Sequence, residues 1–139
     1  MIALTQEMRD AFDSAYAEGA PVLIATASKS GLPDMAYKGS AIIWDDDHIA
    51  FWERAHGMTL RNMEENPGVC VLFANLKARL SWKYFGEARL VRGGELRDAV
   101  MARTPAFELD RDPERKGIAV IVRVDKVLQR GQVIQSREG

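Results

Sequence analysis

Apolar and polar residues alternate along much of this chain with the period of two that is typical of β-strands. In the clearest case, Ala78–Val91, the apolar residues share one face and charged residues take most of the other. Shorter apolar runs end at residues that favour turns. The pattern predicts six strands, over Pro21–Ala27, Asp34–Trp44, His48–Arg54, Val69–Phe73, Ala78–Val91 and Gly117–Val127.

Helical spacing occurs in three places. Thr5 is a suitable N-cap for a helix ending near Gly19, and Met58–Glu65 and Glu95–Arg103 carry the other two helical patterns. Strands in hairpin order with few short helices between them favour an antiparallel barrel over a parallel sheet. We therefore predict a mainly β (α+β) fold, a closed or nearly closed antiparallel barrel that forms one domain over residues 1–139.

The amino-acid composition excludes several classes of partner and leaves the fold prediction unchanged. The formal net charge is -1, and no segment concentrates Lys and Arg without acidic neighbours, so we expect no nucleic-acid partner. Cys70 is the only cysteine, which excludes an intramolecular disulfide and favours a reducing, cytoplasmic compartment. The sequence shows neither a secretory signal pattern nor a membrane-spanning apolar run, so we also expect no membrane partner.

The residues best suited to hold a charged ligand lie in two successive predicted strands and the helix that follows. Lys38 and Ser40 fall on one face of a predicted strand, and Trp52 and Arg54 on one face of the next. The helix near Met58 follows directly, and the N–H groups at a helix start bind anions. Taken singly, each side chain is more typical of a surface or core position. Their convergence indicates a binding site formed by Lys38, Ser40, Trp52, Arg54, Thr59 and Arg61, with Gly39 and Glu53 in the same segments.

Four short segments in this order carry a resemblance to a known family. They are Gly31-Leu32-Pro33-Asp34, Lys38-Gly39-Ser40, Arg61-Asn62 running into Asn66-Pro67, and Gly86-Glu87-Ala88. Over roughly residues 5–127 the chain resembles the FMN-binding split β-barrel superfamily, the pyridoxamine 5'-phosphate oxidase-like proteins. The resemblance implies a six-stranded antiparallel split β-barrel with a few short flanking helices.

The resemblance also implies a homodimer that holds FMN at the interface between its chains. Lys38, Arg54, Thr59 and Arg61 fall where the family usually holds the flavin phosphate, and Ser40, Trp52 and Glu53 fall beside the ribityl chain or the ring. Trp82 is expected to reach the cofactor from the partner chain. Thr59 stands where many relatives have a lysine, and the segment Val133–Gly139 lacks the Arg- and His-rich end of the true oxidase. We therefore do not expect pyridoxamine phosphate oxidase activity itself.

Three functional classes stay open on the sequence alone. The leading one is an FMN-dependent oxidoreductase that acts on a small, aromatic or conjugated substrate. The alternatives are a deazaflavin-dependent reductase on the same barrel and a non-catalytic module that holds flavin or haem. Glu53, His56 and Tyr84 are candidate neighbours of the reacting atoms, but no catalytic residue is assigned.

Other chemistry-bearing residues have simpler interpretations. His48 and His56 lack an accompanying cluster of ligands, so no metal site is predicted. Asp45-Asp46-Asp47 is typical of a hairpin turn. Cys70 lies in an apolar run and is predicted to be a small core residue, and the charged segment Asp110–Lys116 is predicted to be a solvated loop.

Overall fold

The alternating pattern forms eight strands and four helices in the computed structural model, which describes residues 1–138. In chain order they are α1 (Gln6–Ser14), β1 (Val22–Ala27), β2 (Pro33–Tyr37), β3 (Ile42–Ile43), β4 (His48–Glu53), α2 (Met58–Glu65), β5 (Gly68–Asn75), β6 (Leu80–Val91), α3 (Glu95–Arg103), α4 (Ala106–Leu109), β7 (Ile118–Gln129) and β8 (Gln132–Ser136).

All the strands belong to one antiparallel sheet with the order β2-β1-β5-β6-β7-β4-β3, and β8 also pairs with β7. β2 and β3 lie at opposite ends of this order although they are consecutive in the chain. The short segment between them therefore spans the gap between the two edges of a curled sheet. The predicted mainly β split barrel is confirmed.

The strand count differs from the predicted six for two reasons. The predicted strand Asp34–Trp44 is interrupted at residues 38–41 by a turn in which the Ala41 N–H donates to the Lys38 carbonyl over 3.2 Å. β8 was not predicted because it is an edge strand without a buried face: Val133 and Ile134 are both exposed. Its pairing with β7 is main-chain hydrogen bonding, which leaves no hydrophobic pattern in the sequence.

The main core fills the inside of the curled sheet, and β6 contributes the face predicted for it. Trp82 and Tyr84 are buried there, and the other apolar residues of that face pack against the same core. Opposite Phe85 and Gly86 the pairing of β6 with β7 shifts by one residue, forming a β-bulge. A Cβ on Gly86 would lie 1.9 Å from the Arg123 carbonyl oxygen, so this close approach requires glycine.

α1 packs onto the same core. Thr5 caps the helix as predicted, since its Oγ1 accepts from the Met8 N–H over 3.2 Å, and Phe12 stacks on Phe73. The helix ends at Ser14 rather than near Gly19. The chain then turns back, and Gly19 adopts the left-handed conformation with φ of 66° that ends this turn.

A second, smaller core covers the other face of β4 and β7. It is formed by Trp52, Ala119 and Ile121 from the sheet, with Val100 of α3 packed against them. β4 is thus buried on both faces, with Phe51 in the main core and Trp52 in the second. Within residues 1–138, no helix combines the length and apolar character that a membrane crossing needs.

Candidate functional site

A cleft of about 440 Å³ lies where the β2–β3 turn spans the gap between the sheet edges. The turn, the end of β4 and the start of α2 form its walls, and α4 closes one side. Its lining includes seven of the nine residues predicted as cofactor-binding: Lys38, Gly39, Ser40, Trp52, Glu53, Arg54 and Thr59. The structure therefore brings together side chains that lie up to 21 positions apart in the sequence.

Lys38 and Glu53 form a buried ion pair at the cleft. The Lys38 Nζ donates to Glu53 Oε1 over 2.7 Å, and the two side chains are only 12% and 1% exposed. The ammonium also lies over the Phe51 ring, 5.6 Å from its centroid. Glu53 Oε2 is buried and, within residues 1–138, receives no hydrogen bond. A buried carboxylate oxygen without a donor is costly, so this atom has unused acceptor capacity.

Ser40 holds the main chain of β4 in place. Its hydroxyl accepts from the Trp52 N–H over 2.9 Å and donates to the Trp52 carbonyl over 3.2 Å. The expectation that Lys38 and Ser40 share a strand face is wrong, because both belong to the β2–β3 turn, where alternation does not apply. The turn instead directs the ammonium and the hydroxyl to successive residues of β4.

Arg54 follows β4 directly and pairs with an acidic residue of α4. Its Nε lies 3.3 Å from Glu108 Oε2. Within residues 1–138 that is its one protein acceptor, so the terminal guanidinium nitrogens remain available as donors. A Cβ on Gly39 would lie 2.5 Å from Glu108 Oε1, so a larger residue at this position would displace the carboxylate that pairs with Arg54.

The first residues of α2 form the opposite wall. Gly57, Met58 and Thr59 line the cleft, and the N–H groups of a first helical turn have no intrahelical acceptor. The helix is held by Asn62, whose side-chain amide donates to Thr26 Oγ1 of β1 over 3.0 Å. Arg61 lies in the same turn, but its side chain is exposed and does not line the cleft.

The position of Trp82 differs from the one expected, in which it reaches the cofactor of a partner chain. The side chain is buried in the main core of its own chain against Phe73, and its indole nitrogen donates to Gln129 Oε1 over 3.3 Å. It neither lines the cleft nor presents a surface to a second chain. The same alternation that predicted β6 explains this, because the inner face of a long central strand is filled by core side chains.

Two candidate neighbours of the reacting atoms also lie away from the cleft. Tyr84 is fully buried in the main core, where burial raises the pKa of its hydroxyl far above the usual range. His56 is exposed and its ring contacts the Lys116 carbonyl over 2.9 Å. Of the three candidates, Glu53 alone lines the cleft.

The predicted solvated loop contains a buried carboxylate. Asp112 accepts hydrogen bonds from the Trp52 indole N–H and from the N–H groups of Lys116 and Gly117, at 2.8–2.9 Å. Burial by itself would raise the pKa of Asp112, but these donors and the nearby Arg115 hold it below its usual value. The loop prediction is wrong at Asp112, which secures Trp52 from the side of the second core.

The structure confirms the hairpin turn predicted for Asp45-Asp46-Asp47 and contradicts the interpretation of His48. Asp45 and Asp47 form the predicted hairpin turn, since the Asp47 N–H donates to Asp45 Oδ1. His48 was expected to have no carboxylates beside it, but its Nδ1 lies 2.8 Å from the side chains of both Asp45 and Asp47. Cys70 is half-buried, and burial raises the pKa of its thiol.

Several residues of the cleft were missed by sequence reasoning. Arg111 comes from the charged segment Asp110–Lys116, whose balanced signs are typical of solvent-exposed loops, and Glu108 comes from the short helix α4, which was not predicted. Asp34 adds a third carboxylate, so within residues 1–138 the cleft is lined by three basic and three acidic side chains. Tyr16, Tyr37 and Met58 also line it. Asp34 lies in one of the family segments, but no local sequence signal marks the others, because the turns around them decide which side chains face the cleft.

Comparison with known proteins agrees with this arrangement. Residues 4–128 match the sequence profile described as pyridoxamine 5'-phosphate oxidase. The chain belongs to the pyridoxamine 5'-phosphate oxidase family. The resemblance found in the sequence is thereby confirmed, and the curled antiparallel sheet is the split barrel of pyridoxamine 5'-phosphate oxidase-like proteins.

Three individual proteins are similar to this chain over most of their length. The uncharacterised protein MJ0282 of Methanocaldococcus jannaschii is 29% identical over 129 residues, which cover 91% of this chain and 80% of that protein. The structure of HupZ from Group A Streptococcus has a TM-score of 0.76 at 23% identity, covering 94% of this chain and 96% of that one. An FMN-binding protein from Syntrophomonas wolfei subsp. wolfei has a TM-score of 0.72 at 14% identity, covering 91% and 86%.

Proposed function

We propose that this chain binds FMN in the cleft and works in the cytoplasm as a homodimeric oxidoreductase on a small substrate. The observation that supports this most directly is the convergence of Lys38, Glu53, Arg54 and Thr59 on one cleft of a pyridoxamine 5'-phosphate oxidase-like barrel. When bound, FMN supplies the chemistry by accepting or giving a hydride or electron pair. The protein supplies binding, orientation and exclusion of water.

The cleft has donors suited to a phosphate. The first turn of α2, the Thr59 hydroxyl and the terminal nitrogens of Arg54 border the same space. Helix starts and guanidinium groups both favour phosphate oxygens. Glu108 keeps the Arg54 side chain over the cleft through Nε, and this contact leaves the outer edge of the guanidinium for the ligand. We assign phosphate binding to Arg54 and the start of α2.

Lys38 has a different role in this proposal from the one expected of a phosphate ligand. Its ammonium is paired with Glu53 at 2.7 Å, so it positions that carboxylate and balances its charge. Glu53 Oε2 then remains as an acceptor for a hydroxyl or N–H group. The polyol chain and the ring of FMN carry donors of both kinds, so the cleft residues fit this cofactor on both its anionic and its donor side.

Exposed apolar residues near the cleft support a homodimer. Four such residues are exposed: Leu32 directly before the edge strand β2, Met35 and Tyr37 within it, and Met58 at the start of α2. Large exposed apolar side chains grouped on one surface are typical of protein contacts. A second copy seated over this surface would cover the open side of the cleft and exclude water from the flavin.

The experiment that tests the proposal is FMN retention. The protein is mixed with FMN or riboflavin and gel-filtered. Visible absorption then gives the amount of flavin retained, and a titration gives the dissociation constant for each flavin. We expect Arg54→Met to weaken FMN binding by about tenfold to a hundredfold while riboflavin binding changes little, because only FMN has the phosphate. Arg92→Met is the matched control, since Arg92 forms an exposed ion pair with Glu64 outside the cleft.

A parent protein that retains no flavin would contradict the proposal, and the absorption of any cofactor it carries would then distinguish deazaflavin from haem. Equal loss of FMN and riboflavin in Arg54→Met would contradict the phosphate assignment. Flavin that is retained but is reduced by neither NADH nor NADPH, and passes no electrons to quinone or dye acceptors, would favour the non-catalytic binding module. Light-scattering mass measurement on the same samples tests the dimer.

A further inference from the structure

A second concave surface, which we call the apolar groove, lies beside the cleft, between the end of α1 and the β2–β3 turn. Its volume is about 280 Å³, and its floor includes the buried side chains of Phe12, Val22 and Ala41. The groove and the cleft are contiguous, because four residues line both: Tyr16, Tyr37, Lys38 and Gly39.

Both walls of the apolar groove are fixed by main-chain hydrogen bonds. On one side the Ala20 N–H donates to the Ala15 carbonyl over 2.9 Å. On the other the Lys38 N–H donates to the Val22 carbonyl over 2.8 Å, and the Ala41 N–H closes the β2–β3 turn. The groove is therefore preformed, as small-molecule sites usually are.

The rim of the apolar groove is aromatic. Tyr16 and Tyr37 are 66% and 75% exposed. The Tyr16 ring, in the turn after α1, stacks on Phe107 of α4 with a centroid distance of 3.9 Å, and Tyr16 lines both the groove and the cleft. Exposed rings beside a buried apolar floor offer flat apolar contact to a ligand.

We propose that the apolar groove binds the substrate, and that the substrate is an uncharged aromatic or conjugated molecule of one or two rings. The inference rests on the proposed function, because a flavin reaction needs its second reactant beside the cofactor and the groove adjoins the cleft. The volume is close to the lower limit of about 300 Å³ for small-molecule sites, which limits the ligand to this size. Within residues 1–138, Lys38 is the one charged side chain lining the groove, and its charge is balanced by Glu53.

The test is titration with 2-naphthol, an uncharged molecule of two fused rings, by calorimetry on protein with and without FMN. We expect saturable binding, one molecule per chain, and a change in the visible spectrum of bound FMN. Ala41→Leu fills the floor of the groove and Tyr37→Ala removes part of its rim. Each should weaken 2-naphthol binding by about tenfold or more, as one misfitted group in an apolar site does.

Val133→Ala is the matched control, because Val133 is an exposed apolar residue of the edge strand β8 and lines neither the groove nor the cleft. Tyr37 is exposed, so Tyr37→Ala keeps the test decisive even if Ala41→Leu fails to fold. Failure of 2-naphthol to bind, or equal binding to the parent and both variants, would overturn the inference. A change from dimer to monomer in either variant would show that a second copy covers the groove, and would also overturn it.

The calorimetry separates this inference from the proposed function. Loss of FMN retention with 2-naphthol binding intact would contradict the flavin site and leave the groove as an aromatic-binding site. FMN retention without 2-naphthol binding would support the flavin site and contradict the assignment of the groove. A groove that binds 2-naphthol without perturbing the spectrum of bound FMN would contradict the claim that substrate and cofactor adjoin.

Discussion

Two buried carboxylates close to Trp52 are placed in opposite situations by the fold. Asp112 is 8% exposed and accepts three hydrogen bonds, from the Trp52 indole and two main-chain N–H groups. Glu53 is 1% exposed and accepts one, from Lys38, while its other oxygen has no donor within residues 1–138. One carboxylate lies in the second core and the other lines the cleft.

The difference separates a structural role from a binding role. A buried charge whose donors are all supplied by its own chain stabilises the fold and has little left to offer a ligand. A buried carboxylate with a free oxygen stabilises the fold less, because part of its desolvation is not compensated. Glu53 is therefore the residue whose partners we expect to change on ligand binding, and Asp112 the residue whose partners stay the same.

The largest effect is expected for Asp112→Ala. Removing the carboxylate leaves the Trp52 indole and two main-chain N–H groups without an acceptor, so the free energy of unfolding should fall by about 3 kcal/mol. Urea denaturation measures this. Asp110→Ala is the control, because Asp110 is exposed and makes no side-chain hydrogen bond within residues 1–138. Equal stability of the two variants would contradict the structural role of Asp112.

Gly117→Ala tests the same region by steric means. A Cβ there would lie 2.3 Å from Trp52 Nε1 and 2.9 Å from Asp112 Oδ2, so the indole and the carboxylate must separate. We expect a loss of about 2 kcal/mol in the free energy of unfolding. Gly93→Ala, at a position where a Cβ meets nothing within 4 Å, should change stability by less than about 0.5 kcal/mol. A similar loss in both would point to a general effect of glycine replacement.

Replacing the Lys38–Glu53 pair should affect FMN binding more than stability, the opposite of what is expected for Asp112. Replacing both residues, as Lys38→Met with Glu53→Leu, removes two buried charges together, so stability should change by less than about 1 kcal/mol. FMN binding should weaken by about tenfold or more, because the acceptor at the cleft is lost. Glu53→Gln keeps the shape but leaves the Lys38 charge uncompensated, so it should lose stability as well as FMN affinity.

The control for the double variant is Lys116→Met with Glu114→Leu, an exposed pair away from the cleft. It should leave FMN binding unchanged. A double variant at Lys38 and Glu53 that loses stability as Asp112→Ala does, while retaining FMN affinity, would contradict the binding role of Glu53 and give it a structural one.

The smallest effect is the pH dependence that Asp112 contributes. Its pKa in the folded protein lies below the ordinary value of 3.8, so its stabilisation is complete above that value and is lost as the pH falls through the folded pKa. The difference in unfolding free energy between the parent and Asp112→Asn should therefore be constant near neutral pH and shrink below pH 3.8. A difference that stays constant into strong acid would show that folding does not lower the pKa of the Asp112 carboxyl.

Period-two alternation identified the sheet because each strand must place every second side chain in the core, and this constraint is local. It predicted the buried face of β6 and, with the family segments, the split barrel. It failed at residues 38–41 because a turn and a strand can have the same short polar composition. It also failed at β8, whose edge pairing uses main-chain groups alone.

The site divides in the same way. The sequence by itself determined which side chains were available, since cations, a hydroxyl and an aromatic ring occur on successive elements of a chain with no competing motif. Only the tertiary structure decided their partners: Lys38 faces Glu53, Arg54 faces Glu108, and Trp82 belongs to the core. These contacts join residues brought close by sheet curvature and turn geometry, and hydrogen bonds depend on distances that sequence spacing does not specify.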